Sequence, residues 1–492
     1  MIIMPMLHDV QRVLSSGWKY VSHCGGSLWR ITICTLAKNE VTSGHVQKLR
    51  KGLSNRKKGN IIHQKLPGNE KLSWEDRLAD AVTPLWHLSY GKQLHLKQLQ
   101  QHRILLEMSD LLVKDGISRR PSLHLSRDDL SFPLMPIKPS PVRYGYRNKS
   151  TFSVNVGVDG NPKTVGFYLG SGKGKNIVCI SGNHLLNMPV KHKMVAKCYE
   201  EFIRLSPVDP CILFHEGGHW REVTVRTNSV GNTMAIVHFH PQKLTEMEIC
   251  VHKRALVDYF TNGPGAVCAL DSLYFQETSM TRCSNEDSPY QLLHGKSHIY
   301  EEVLGRKFRI SPDAFFQVNT EAAEVLYHTV GELYLDRGQD TVLDVCSGTG
   351  VIGIILSSKV KRVIAIEVVE QAVKDAKHNA SLNDVFNCEF LAGKAEVILP
   401  QLMPSLKSEL GVTAVVNPSR AGLHYRVIRA LRSNPAVRRL IYISCKPWGE
   451  AMRNFKELCC SFPGEPFRPT VAVPVDMFPH TTHCELVIVF ER

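Results

Sequence analysis

Between Trp74 and about Gly116, apolar residues return every three or four positions: Leu94, Leu96, Leu99, Ile104, Leu105, Met108, Leu111 and Leu112. That spacing gathers them on one side of a 3.6-residue turn and predicts helix. Pro133, Pro136, Pro139 and Pro141 follow within nine positions and read as a loop and domain boundary. Beyond them the period falls to two. Residues 151–156 and 222–227 alternate in strand fashion, and 235–239 is a third candidate, with glycines at 157, 160, 166, 170, 172 and 174 between them. This part reads as a β-rich α+β domain.

The last third alternates short apolar runs with helical stretches. Runs at 341–345, 362–366, 412–416, 440–443 and 485–490 are separated by helical patterns such as 351–359 and 370–381. Repeated βα units predict a doubly wound, mostly parallel sheet, a Rossmann-like α/β domain. The expected organisation is a basic leader over 1–70, a helical extension and linker over 74–140, a β-rich domain over 141–304 and the α/β domain over 305–492.

Composition narrows the partners. The chain has 492 residues and a formal net charge of +14, which favours a polyanion such as nucleic acid. No run of about 18 apolar residues occurs, so no transmembrane helix and no membrane role are expected. The 14 cysteines are scattered without a C-x-x-C pair, so no metal site is expected and a reducing compartment is. In the first sixty residues ten basic side chains face only Asp9 and Glu40. An acid-poor, hydroxyl-bearing basic stretch reads as a mitochondrial presequence, or else as a basic arm that touches RNA.

The candidate chemistry begins where the run ending Val342–Leu343–Asp344 turns into Cys346–Ser347–Gly348–Thr349–Gly350–Val351–Ile352–Gly353. Glycines there let backbone approach a ligand, and Glu367, at the end of the next run, offers a carboxylate to both hydroxyls of a ribose. Such a turn fits a nicotinamide dehydrogenase or a methyltransferase; an acid at Asp344 favours S-adenosylmethionine, whose sulfonium and amino groups are cationic.

Further segments carry more. They are 308–319, with Phe315, Phe316 and Gln317; Asn417–Pro418–Ser419–Arg420; Ser444–Cys445–Lys446–Pro447; and 476–485, with Phe478, Pro479, His480 and Glu485. In this order the chain resembles the S-adenosylmethionine-dependent RNA (uracil-5-)-methyltransferases from about Tyr144 to its end. The resemblance implies Cys445 as nucleophile, Glu485 as base, and Gln317, Glu367, Asn417 and Gly348 as cofactor-binding. It implies tRNA as partner, in its T loop, with mitochondrial rRNA as a further RNA; a monomer is expected, and the basic N-terminus points to the mitochondrial matrix. Chemistry agrees: carbon 5 of uracil is a poor nucleophile until a thiolate adds to carbon 6.

Two positions depart from the family's pattern, Asn417 for Asp and Lys446 for Asn. Lys446 is expected to lower the cysteine pKa. The departures leave a second reading, an RNA-binding or RNA-folding protein of weak activity that keeps the cofactor fold. Arg143, Tyr144, Tyr146, Arg147 and Lys149, with Lys173 and Lys175, are expected to meet RNA, while plain core packing is expected of Phe315, Phe316 and Phe478.

Overall fold

The computed structural model describes residues 72–117, 130–170, 177–212, 217–278, 288–334, 341–407, 409, 411–461 and 465–492. The basic leader, Lys173 and Lys175 lie outside the described residues.

The helical stretch is two helices. In α1 (Trp74–Val82) the Ser73 hydroxyl accepts from the Asp76 amide at 3.0 Å, and α2 (Tyr90–Lys114) follows a short connector. They go separate ways. Leu78 and Ala79 of α1 join the core of the central domain, whereas Ile104, Leu105, Met108 and Leu112 of α2 join the core of the C-terminal domain. The proline-containing loop is no free linker either: Leu134 and Lys138 form parallel bridges with Ala472 and Val475.

The central domain is built on β1 (Lys149–Asn155), β2 (Thr164–Leu169), β3 (Val178–Ile180), β4 (Trp220–Thr227), β5 (Thr233–Phe239), β6 (Ser272–Glu277) and β7 (Tyr290–Gly295), in the order β3-β2-β1-β4-β5-β6-β7. Helices α3 (Val190–Leu205) and α4 (Glu246–Thr261) bury their apolar faces on it; Phe152, Val154, Val223 and Val225 face them in one cluster. A hairpin of β8 (Ile299–Val303) and β9 (Arg306–Ile310) follows. The expected boundary at 304/305 falls in the turn of this hairpin, yet Val303 and Phe308 lie in one core with α5 (Thr320–Leu333). The hairpin is therefore packed as a unit.

The C-terminal sheet comprises β10 (Thr341–Val345), β11 (Arg362–Glu367), β12 (Cys388–Ala392), β13 (Val412–Val416), β14 (Val437–Ser444), β15 (Arg468–Val475) and β16 (Glu485–Glu491). Their order is β12-β11-β10-β13-β14-β16-β15, and the first five are parallel. Helices α6 (Val351–Leu356), α7 (Glu370–Leu382), α8 (Ala395–Leu402), α9 (Tyr425–Ser433) and α10 (Glu450–Cys459) complete the expected doubly wound α/β fold. The chain order reverses between β10 and β13, the switch point where such sheets bind ligands. β16 inserts antiparallel to β14. Its first residue therefore lies at the same sheet edge as the last residues of the parallel strands.

Candidate active site

The loop after β10 is shaped by its glycines. Gly348 has φ +56°, and nothing lies within 4 Å of where a Cβ would stand. Gly350 has φ +81°, and a Cβ there would meet Phe390 Cε1 at 2.8 Å and Ala376 Cβ at 3.0 Å. The first glycine thus leaves a backbone edge open, while the second lets α6 seat itself. Glu367 ends β11 half-buried, and its carboxylate accepts from the amides of Val368 (2.9 Å), Val369 (3.0 Å) and Gly348 (3.0 Å). A carboxylate has about four acceptor sites, so room remains for about one more donor without displacing a backbone partner. Three backbone amides thus fix the orientation of the Glu367 carboxylate.

Asp344 is fully buried, and its Oδ2 accepts from the Gly353 amide at 2.9 Å. Burial raises its pKa to about 7, against that hydrogen bond and with help from Glu367. Its Oδ1 and the Thr349 Oγ1 are buried without a hydrogen-bond partner among the described residues. Open space beside Gly348, a preset Glu367 and these unused polar atoms fit a polar nucleoside cofactor at the switch point.

Asn417 follows β13, and its main-chain N–H donates to the Val345 carbonyl at 3.2 Å, joining the loops on either side of the switch point. Gln317 is buried, and its main-chain carbonyl accepts from Asn148 Nδ2 at 2.7 Å. It does not cap α5: Asn319 does, accepting from the Ala322 amide at 3.1 Å. Among the described residues no side-chain hydrogen bond ties Gln317 or Asn417 to Glu367 or Cys445.

The juxtaposition of Cys445 and Glu485 is set by register. Ser444 on β14 pairs with Leu486 on β16, so one antiparallel step further places Cys445 opposite Glu485. Glu485 is 4% exposed, on an interior strand rather than a solvated edge. Burial lifts its pKa to about 8, opposed by Arg420. The Cys445 thiol is pushed up to about 11 by burial and then by Glu485, while Arg420 pulls it down by charge and by a side-chain hydrogen bond. Thiol, carboxyl and guanidinium form one cluster.

The sequence model of the tRNA (Uracil-5-)-methyltransferase family matches residues 296–492. A protein of Danio rerio named tRNA (uracil-5-)-methyltransferase homolog B is 67% identical over 89% of this chain and 91% of its own length. Its namesake in Homo sapiens is 52% identical over 93% of this chain and 91% of its own length. The chain belongs to the tRNA (uracil-5-)-methyltransferase family. The fold agrees with a crystal structure of a Pyrococcus abyssi tRNA (uracil-54, C5)-methyltransferase in complex with S-adenosyl-L-homocysteine, at TM-score 0.59 and 24% identity over 82% of this chain and 84% of that one.

Membership of the tRNA (uracil-5-)-methyltransferase family makes the chain an enzyme with S-adenosylmethionine as its cofactor. Several details differ from expectation. Lys446 does not produce a low thiol pKa; the thiol is high, and the cation that opposes the rise is Arg420. Arg420 lies in the Asn417–Arg420 motif, and a guanidinium three positions past the Asn that follows β13 is the sequence signal for it. Phe316 is core and Phe478 packs against the core, but Phe315 is 65% exposed. The basic-aromatic group divides as well. Tyr144 is 63% exposed and lies 5.0 Å from the His480 ring, whereas Tyr146 is buried and donates to the Pro479 carbonyl at 3.0 Å.

Proposed function

We propose that the protein methylates carbon 5 of a uridine in the T loop of tRNA, and in mitochondrial rRNA, through a covalent bond between Cys445 and carbon 6 of the base. The placement of Cys445 opposite Glu485, with Arg420 beside both, carries this reading. The Cys445 thiol first loses its proton to solvent, the Arg420 guanidinium stabilises the thiolate, and the sulfur then adds to carbon 6 as the ring takes up the negative charge. The ring becomes an enolate, nucleophilic at carbon 5. S-adenosylmethionine, when bound, supplies the electrophilic methyl group. Gly348 and Glu367 would hold its nucleoside, and Gln317 and Asn417 complete the proposed set of cofactor residues. Glu485 then takes the proton from carbon 5, the carbon–sulfur bond breaks, and Cys445 leaves as thiolate. A buried base with pKa near 8 suits that proton abstraction near neutral pH.

A base stacked in folded RNA must first be turned out to reach the thiol. The acid-poor first sixty residues support action in the mitochondrial matrix, and the protein is proposed to act as a monomer. The test uses RNA bearing 5-fluorouridine, whose fluorine cannot be abstracted as a proton. Wild type with S-adenosylmethionine is expected to form an adduct stable to denaturation, and Cys445→Ala none. Adduct-free wild type that binds RNA without methylating it would instead support the weak RNA-binding protein.

A further inference from the structure

Lys149 on β1 and Arg226 on β4 are direct cross-strand partners. Like charges opposite each other on neighbouring strands repel, and partial burial strengthens the repulsion. Arg226 is 3% exposed; one guanidinium nitrogen donates to the Ala314 carbonyl, but Nε has no hydrogen-bond partner among the described residues. Lys149 is half-buried, and among the described residues its ammonium has neither an ion-pair partner nor a hydrogen-bond acceptor. Its pKa falls to about 7, from Arg226 first, then burial and Arg147, with Asp313 alone opposing. Arg226 is itself lowered to about 10 by burial, against Tyr290 and Asp313.

The crowding continues toward the reacting pair. Burial, then Arg420, Lys97 and Arg147, hold the pKa of His483 down to about 4. Arg147 and Arg420 therefore both act on His483, and Arg420 also acts on Cys445 and Glu485. Tyr146, next to Arg147, donates to the Pro479 carbonyl on the loop that leads to Glu485, so this cationic segment borders the active site, with Asp313 the acid that opposes the cations at Lys149. A fold has no stability reason to keep two cations in register at a half-buried strand pair, since an apolar or neutral partner would serve better.

We propose that Arg147, Lys149 and Arg226 form a seat for a backbone phosphodiester of the RNA substrate, next to the reacting nucleotide. The proposal rests on the RNA methyl-transfer reading and adds where the backbone is gripped. A phosphodiester brings the missing negative charge and oxygen acceptors for the ammonium and the guanidinium groups. Gripping the backbone beside the target gives the base a fixed point from which to turn out.

The signature is a substitution that acts in opposite directions on fold and binding. Lys149→Gln removes the repulsion, so its thermal midpoint at pH 7 is expected above wild type. Its affinity for a T-arm RNA hairpin, read by fluorescence anisotropy, is expected to fall about fivefold, with the slope of log affinity against log salt smaller by about one. Lys149→Arg keeps the charge and is expected to keep the affinity. Wild-type affinity and salt slope in Lys149→Gln would overturn the seat; so would weaker binding accompanied by a lower midpoint, which marks structural damage. Inorganic phosphate in place of RNA separates the sources: if it stabilises wild type but not Lys149→Gln while RNA binding is unchanged, the seat takes small anions and the proposal fails. Trapping of 5-fluorouridine RNA by wild type is scored in parallel. Its failure sinks the methyl-transfer reading, whereas trapping with an unchanged Lys149→Gln sinks the seat alone.

Discussion

Lys97 of α2 places its Nζ 2.5 Å from Asp476 Oδ1, with the two side chains 1% and 0% exposed. The same ammonium donates to the Phe478 carbonyl at 2.9 Å, and the Tyr90 hydroxyl donates to Asp476 Oδ2 at 3.0 Å. One turn earlier on α2, Gln93 accepts from the His480 amide at 2.8 Å. His480 has φ +67°, a left-handed backbone that a non-glycine residue adopts only under constraint. The helix therefore pins the loop that delivers Glu485.

Removing one partner of that pair leaves a buried charge uncompensated. Lys97→Met is expected to cost about 3–5 kcal/mol in denaturant unfolding. Adding Asp476→Asn to it should recover a large part, because the stranded carboxylate is gone. Equal losses in the single and double variants would show that the pair contributes by packing alone.

Arg420 and Glu485 act on the thiol in opposite senses. Glu485→Gln removes a negative neighbour and should lower the pKa of Cys445 from about 11, whereas Arg420→Ala should raise it. The pH dependence of iodoacetamide labelling, read at the Cys445 peptide by mass spectrometry, gives both shifts. Turnover by Glu485→Gln should drop about 10²–10⁴-fold. In wild type the base must be ionised, so kcat/KM should climb with pH through about 8.

The two loop glycines should fail differently. Gly350→Ala meets both a left-handed φ and close side chains, so a fall in thermal midpoint is expected from strain of about 1–3 kcal/mol. Gly348→Ala meets open space and should lose about 1 kcal/mol from its φ alone. Its larger effect should be a raised KM for S-adenosylmethionine, because the new methyl group intrudes where the nucleoside is proposed to lie. Calorimetric titration with the cofactor separates the two.

Asp344 gives a pH signature of stability. Its folded pKa, about 7, exceeds the ordinary 3.8. The unfolded chain therefore releases that proton first, and stability falls as pH rises between those values. Asp344→Asn keeps an acceptor for the Gly353 amide and removes the titration. Its urea midpoint relative to wild type should increase from pH 4 to pH 7.5; a constant difference would contradict the buried, proton-holding carboxyl.

Local periodicity carried the C-terminal sheet: 341–345, 362–366 and 412–416 are strands because apolar runs bounded by turns leave few alternatives. The short β12 and the edge strand β15, with Pro469 and Pro474 within it, gave weaker patterns. The N-terminal half of α2 misled most. Its buried face is Gln93, Lys97 and Gln101, while Leu99 is 51% exposed. Polar residues at four-residue spacing look like a solvent face until the distant partners of Gln93 and Lys97, His480 and Asp476, are known. Cys445 and Glu485 were legible through motif order, but their juxtaposition needed the antiparallel insertion of β16. Arg420 was missed because charge balance in a cluster is a property of three dimensions.

The parting of α1 and α2 bears on how this enzyme can be dissected. A fragment cut at residue 296, where the family match begins, would lack Lys97 and the apolar side of α2. It would carry Asp476 stranded and a greasy strip bare beside α10, and it should aggregate on expression. The smallest excisable catalytic piece must take the first helical pair with it, and that pair brings the central domain along.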